Sequence, residues 1–174
     1  MNFRLVYFLL VFVLAIAADS NKALDEKNGF KKYKLGTPIN SYPGFKISNE
    51  KPSTDSCSLL YEKTPELSDN IGEVKVSKII ATTSRDTVVK IEVPLAEANI
   101  PKLLEVFSKE FGKYTTSDNA GDPSYKWEGD NVKMILIDKA HRRGNKEYAK
   151  GPADVFTITS KDAELIRRRC VSGK

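Results

Sequence analysis

Histidine is nearly absent from this chain of 174 residues, and cysteine is scarce: His141 stands alone, and Cys57 and Cys170 are the only thiols. A Ser-His-Asp or Cys-His site needs an imidazole beside its nucleophile. His141 lies in KAHRRGNK, a polar basic arm, where a solvated surface side chain is the expected reading. Neither a G-x-S-x-G elbow nor a glycine-rich phosphate loop occurs. Zinc takes about four ligands, which two distant cysteines and one histidine do not supply. Asp118, Asn119 and Asp122 cluster but lack the residue order and distal Glu of a calcium loop, so they read as a turn. No cofactor or metal is expected. These absences leave open a hydrolase with a carboxylate pair, which depends on separation in space and not in sequence. Glu62, Glu66, Glu73 and Glu128 are its candidates. Asn-x-Ser/Thr sequons are also missing.

Long apolar runs are equally scarce: there is one, MNFRLVYFLLVFVLAIA. Arg4 gives a short positive start, Leu5 to Ile16 the apolar stretch, and Ala15 and Ala17 the small-x-small cleavage pattern. The stretch is shorter than the roughly 20 residues that span a bilayer. Residues 1–17 are therefore expected to be a signal peptide and the mature chain, without a transmembrane segment, to be secreted or periplasmic. Removing them leaves 174 − 17 = 157 residues, the size of one domain. In an oxidising compartment, Cys57 and Cys170 are expected to form a disulfide, the alternative being two unpaired thiols. Residues 18–28 read as a mobile lead-in, 29–170 as a single domain and 171–174 as a tail.

What is present is patterned for strands. A first strand or short helix around Tyr33–Leu35 precedes Gly36-Thr37-Pro38 and a second turn at Tyr42-Pro43-Gly44. Cys57–Tyr61 suits a short strand. Val74–Ile80 and Thr87–Val93, joined by Thr-Thr-Ser-Arg-Asp, read as a hairpin. The period then changes: Ile100, Leu103, Leu104, Phe107 and Phe111 follow helical spacing, with Asn99 as cap and Gly112 just past the end. Thr115–Ser124 reads as a loop. Tyr125–Trp127 and Lys133–Asp138 form a hairpin about Gly129-Asp130-Asn131, Asp154–Thr159 is a last strand, and DAELIRRR a short helix. The predicted fold class is α+β: an antiparallel β-sheet with one main amphipathic helix, about residues 100–111, packed on one face. Val89, Ile91, Val93, Ile135 and Ile137 are the expected sheet partners, with Trp127 and Phe156 in the core.

The stretch GFKKYKLGTPINSYPGFK, Gly29–Lys46, interleaves aromatic and basic residues as a nucleic-acid strip would. In extended chain, however, Tyr33 and Leu35 share one face while Lys32 and Lys34 take the other. Phe30, Tyr33, Leu35 and Ile39 are accordingly expected to be buried.

The net charge is mild, 28 basic against 23 acidic groups, so nucleic acid is not an expected partner. Two basic clusters are candidate binding residues: Lys139, His141, Arg142, Arg143, Lys146 and Lys150 in the arm, and Arg167, Arg168, Arg169 and Lys174 near the end. Phosphate, sulfate and carboxylate groups are natural partners for guanidinium.

The succession YKLGTP, VKVSKI…VVKIEV, LLEVFSKEFGKYT and YKWEGDNVKMILI resembles small exported bacterial proteins of unknown function that open on an "lGtp" motif. The resemblance implies an α+β fold and export, and no functional residues. The leading expectation is a non-enzymatic domain binding another macromolecule, inhibitor-like or an envelope accessory protein. The alternatives are a binder of acidic polymers or lipid head groups, and the carboxylate-pair hydrolase.

Overall fold

β-Branched and aromatic residues at alternate positions build a sheet that dominates the structure. The computed structural model describes residues 22–49, 58–96, 99–119, 122–139 and 154–163. Its strands are β1 (Gly29–Phe30), β2 (Tyr33–Lys34), β3 (Lys46–Ile47), β4 (Ser58–Lys63), β5 (Lys75–Val76), β6 (Ile79–Ser84), β7 (Thr87–Ala96), β8 (Thr115–Asn119), β9 (Asp122–Glu128), β10 (Val132–Ile137) and β11 (Val155–Ser160). A helical segment, α1, covers residues 22–27, and the main helix, α2, spans Ile100–Phe111. The large sheet runs β3-β4-β6-β7-β11-β10-β9-β8, with β5 continuing beside β7. Every pairing is antiparallel. β11, the last strand, is thus inserted at the centre between β7 and β10, and it supplies Phe156 and Ile158 to the core.

The helix forms as its sequence predicts. The Asn99 side chain accepts a hydrogen bond from the Lys102 N–H at 3.1 Å, Pro101 occupies the first turn, and Gly112 ends it at φ 74°. Ile100, Leu103, Phe107 and Phe111 are its buried stripe. Phe107 lies against Phe156 of β11 and Trp127 of β9, with ring centroids 5.5 and 5.7 Å apart. Among the described residues no helix is long and apolar enough to cross a membrane.

The sheet partners differ from expectation at three positions. On β10 the inward residues are Val132, Met134 and Leu136, whereas Ile135 and Ile137 pair with Thr157 and Val155 on the opposite face. Apolar residues occupy both parities of KMILI, so alternation alone does not choose a face; pairing with β11 does. Val89 is displaced by a β-bulge. Thr82 pairs with Lys90 but Thr83 pairs with Val88, leaving Val89 as the extra residue. Val88 joins the core in its place.

Thr115–Ser124, read from sequence as a loop, is largely the β8–β9 hairpin, with Thr115 opposite Lys126 and Ser117 opposite Ser124. Its side chains are polar because β8 is an edge strand with little core to face. The hairpin between β6 and β7 turns more tightly than predicted, on Arg85 and Asp86, at φ 48° and 65°. Two left-handed residues in succession match the twist of the flanking strands.

Residues 22–28 correct the reading of a mobile lead-in: Leu24 is buried in the core and Asp25 hydrogen-bonds the β9–β10 turn. One leucine in a polar segment leaves no periodicity to read. Phe30, Tyr33, Leu35 and Ile39 are all buried, as expected, although alternation accounts only for Tyr33 and Leu35, since Ile39 opens a short 3-10 turn. Phe30 pairs with Tyr33 across a turn at Lys31-Lys32. A Cβ on Gly29 would stand 2.1 Å from the Tyr33 carbonyl oxygen, so only glycine fits there.

Candidate functional site

The bulge on β7 opens a trough on the face of the sheet away from α2. Register places Thr82 opposite Lys90, Lys90 opposite Thr159, and Thr159 opposite Lys133, a row across four strands. Ser84 and Val89 close one end and Lys161 stands at another. The trough has a volume of about 590 Å³, within the usual range of ligand sites. Serine, threonine and lysine residues line it together with Val89 and Ala163, and carbon atoms, the methyl groups and lysine stems among them, make up more of the wall than nitrogen and oxygen do.

Three observations give the trough its chemistry. Ser84 Oγ is enclosed and has no hydrogen-bond partner among the described residues. Leaving a buried hydroxyl unpaired costs about 1–3 kcal/mol, and such groups concentrate where structure serves another purpose. Lys133 has no ion-pair partner among the described residues, while Lys90 pairs with Glu92 at 2.9 Å and Lys161 with Glu128 at 3.3 Å. Finally, bulges re-aim side chains and are frequent beside binding sites.

The sequence pointed elsewhere. Arg142, Arg143, Lys146, Arg167, Arg168 and Arg169 lie outside the described residues, as do His141, Cys57 and Cys170. Of the arm's cluster, Lys139 is described; its N–H donates to Asp154 Oδ1 at 2.9 Å. Lys90, Lys133 and Lys161 are isolated in sequence, and only strand order brings them together. The available signal was weak: Lys90 occupies an outward position in the alternation of β7.

The four carboxylates weighed as a catalytic pair are each engaged by lysine. Glu62 meets Lys78 at 3.0 Å and accepts from Ser48, and Glu66 meets Lys63 at 2.6 Å and Lys32 at 3.4 Å. Glu73 pairs with Lys102, and Glu128 with Lys126 and Lys161. Hydrogen bonds from Ser48 and Lys78 hold Glu62 below its ordinary 4.5; those from Lys63, Lys102 and Lys126 do so for Glu66, Glu73 and Glu128. A general acid of a glycosidase needs the opposite displacement. Among the described residues, no group of three or more His, Cys, Asp or Glu side chains is placed to hold a metal ion.

These displacements fix a pH dependence. A carboxyl whose folded pKa is depressed contributes stability that is present above its unfolded value, near 4.5, and lost as pH falls through the folded one. Lys63 is raised above 10.5, first by its hydrogen bond to Glu66, and that contribution is lost as pH rises through the raised value. The urea midpoint is expected to be level between about pH 6 and 9 and to fall on both sides. Replacing the four glutamates with glutamine should flatten the acid decline; an unchanged decline would show that these pairs do not stabilise the fold.

Comparison of the chain with protein-family models, curated proteins and solved structures gives no match.

Proposed function

We propose that this chain is an exported, non-enzymatic α+β binding domain whose trough takes an acidic polymer, a chain bearing carboxylate or sulfate groups. The observation that carries the reading is the convergence of Lys90, Lys133 and Lys161 on one trough whose lining also includes Thr82, Thr159 and Ser160. Ammonium groups neutralise the polymer's charges while Thr82, Thr159 and Ser160 exchange hydrogen bonds with its hydroxyls. The low pKa of Glu62, Glu66, Glu73 and Glu128 supports binding over hydrolysis, because each stays ionised at neutral pH. Export rests on the pattern of residues 1–17.

The test is binding to a size-defined heparin oligosaccharide and to oligogalacturonate, followed by calorimetry at increasing salt. Affinity is expected to fall steeply with salt, as charge neutralisation with counterion release requires. Lys133→Glu with Lys161→Glu should weaken it tenfold or more. Lys32→Glu with Lys46→Glu, an equal change of net charge away from the trough, should weaken it much less. Equal losses would reduce the effect to net charge. Absence of binding to either polymer would overturn the reading in favour of a protein partner.

A further inference from the structure

A second concavity lies on the opposite side of the sheet, where α2, β1–β2 and the Ile71-Gly72 turn meet over β10 and β11. Its volume is about 270 Å³. Phe30, Val106, Phe111, Met134 and Ile158 form an apolar floor and walls. Phe30, Phe107, Phe111 and Ile71 retain 5–7% exposure, where Leu95 and Leu136, deeper in the same core, retain none. These residues stand at the opening, with Met134 and Ile158, at 1% and 2%, beneath them.

The mouth is basic. Lys27, Lys31 and Lys34 stand on it with one carboxylate, Glu110. Lys27 is paired with Glu110, and Lys34 donates to the Lys27 carbonyl. Lys31, exposed in the β1–β2 turn, has no partner among the described residues. The rim thus carries three ammonium groups against one carboxylate above a greasy interior, the complement of an anionic head on an apolar tail. An apolar ligand without charge would leave the rim unused, and a small hydrophilic anion would leave the floor unused.

We propose that this cavity binds a single medium-chain carboxylate, its tail among Phe30, Phe111 and Met134 and its carboxylate on Lys31 and Lys34. The site is separate from the trough and independent of that reading. At about 30 Å³ for each water-sized group, the cavity accommodates roughly nine such groups, which sets the length of the tail. Of the two lysines that alternation assigns to the wet side of GFKKYKLG, Lys34 is in this arrangement a head-group contact while Lys32 pairs with Glu66, and Phe30 of the same motif is part of the floor.

Calorimetric titration of the full chain with hexanoate, octanoate, decanoate and hexadecanoate, below their micellar concentrations, tests this. Each added methylene is expected to tighten binding about fourfold until the cavity is full, after which affinity levels off. Decanol, with the same tail and no charge, should bind at least tenfold more weakly than decanoate. Lys31→Gln with Lys34→Gln should remove that difference, and Val106→Phe, which fills the cavity from the partly exposed face of α2, should abolish binding of both. Trp127, the chain's single tryptophan, packs on Phe107 at 5.7 Å and reports occupancy by its emission. Affinity that keeps rising to hexadecanoate, equal binding of decanol and decanoate, or indifference to Val106→Phe would each overturn the proposal.

Discussion

Phe107→Ala is expected to lower the free energy of unfolding by about 4 kcal/mol, near the upper end for a single core truncation. The ring is the meeting point of the helix and the sheet. Its centroid lies 5.5 Å from Phe156, 5.7 Å from Trp127 and 6.1 Å from Phe111, the first two contacts edge-on. Each pair adds about 0.5–1.5 kcal/mol beyond the area it buries. Trp127 and Phe156 are anchored on β9 and β11, whose positions are fixed by ladder hydrogen bonds, so they have little freedom to collapse into the vacated volume. Leu104→Ala, one turn earlier on the partly exposed flank of the same helix, should cost about 1 kcal/mol. At roughly 2–4 °C for each kcal/mol in a domain of this size, the Phe107 variant should melt about 8–16 °C below the parent. Chemical denaturation of both variants checks the contrast; equal losses would mean that the aromatic cluster does not hold α2 to the sheet.

That cluster was legible in the sequence because helical spacing admits one apolar stripe, and Phe107 lies in the middle of it. Asn99 and Gly112 bracketed the same element for local reasons of hydrogen bonding and backbone conformation. Tyr33 and Leu35 were legible for the corresponding reason in a strand. What escaped was information held in pairing. KMILI is apolar on both parities, and only its neighbour β11 assigns Met134 inward and Ile135 outward. Val88 and Val89 are interchangeable by composition, and the bulge that separates them depends on the length of the tight Arg85-Asp86 turn.

The trough escaped for the same reason. Lys90 and Lys133 belong to β7 and β10 and Lys161 directly follows β11, and they become neighbours only because β11 is threaded into the centre of the sheet. Runs of adjacent charge, such as the arginines at 167–169, are conspicuous in sequence, yet a site assembled across strands contributes one lysine at a time. The lysine-rimmed cavity was half visible: the alternation in GFKKYKLG was apparent, but the hydrophobic side of the opening comes from α2 and the central strands.

Asp25→Ala is expected to cost about 3 kcal/mol, far more than a residue of a polar N-terminal segment ordinarily contributes. The Asp25 carboxylate accepts hydrogen bonds from the backbone N–H groups of Asp130, Asn131 and Val132 at 2.6, 2.9 and 2.9 Å. Asp130 and Asn131 belong to the β9–β10 turn and Val132 opens β10, and a charged acceptor makes such bonds about twice as strong as neutral ones. Two of the donors can return to water when the carboxylate is removed, which keeps the loss below the sum of three full bonds. The contact also joins segments 105 to 107 residues apart in sequence, so it fastens α1, and with it Leu24, onto the core. Asp25→Asn keeps one acceptor oxygen without the charge and should lose about half as much. The close approach depends in turn on Gly129, where a Cβ would stand 2.6 Å from Asp25 Oδ1. Gly129→Ala should therefore displace the carboxylate and reproduce much of the same loss. Because both substitutions break one contact, the double variant should be little worse than either alone, a departure from additivity of at least 1 kcal/mol in a double-mutant cycle. Strictly additive losses, or a cost below about 1 kcal/mol for Asp25→Ala, would show that the turn holds its shape without the carboxylate.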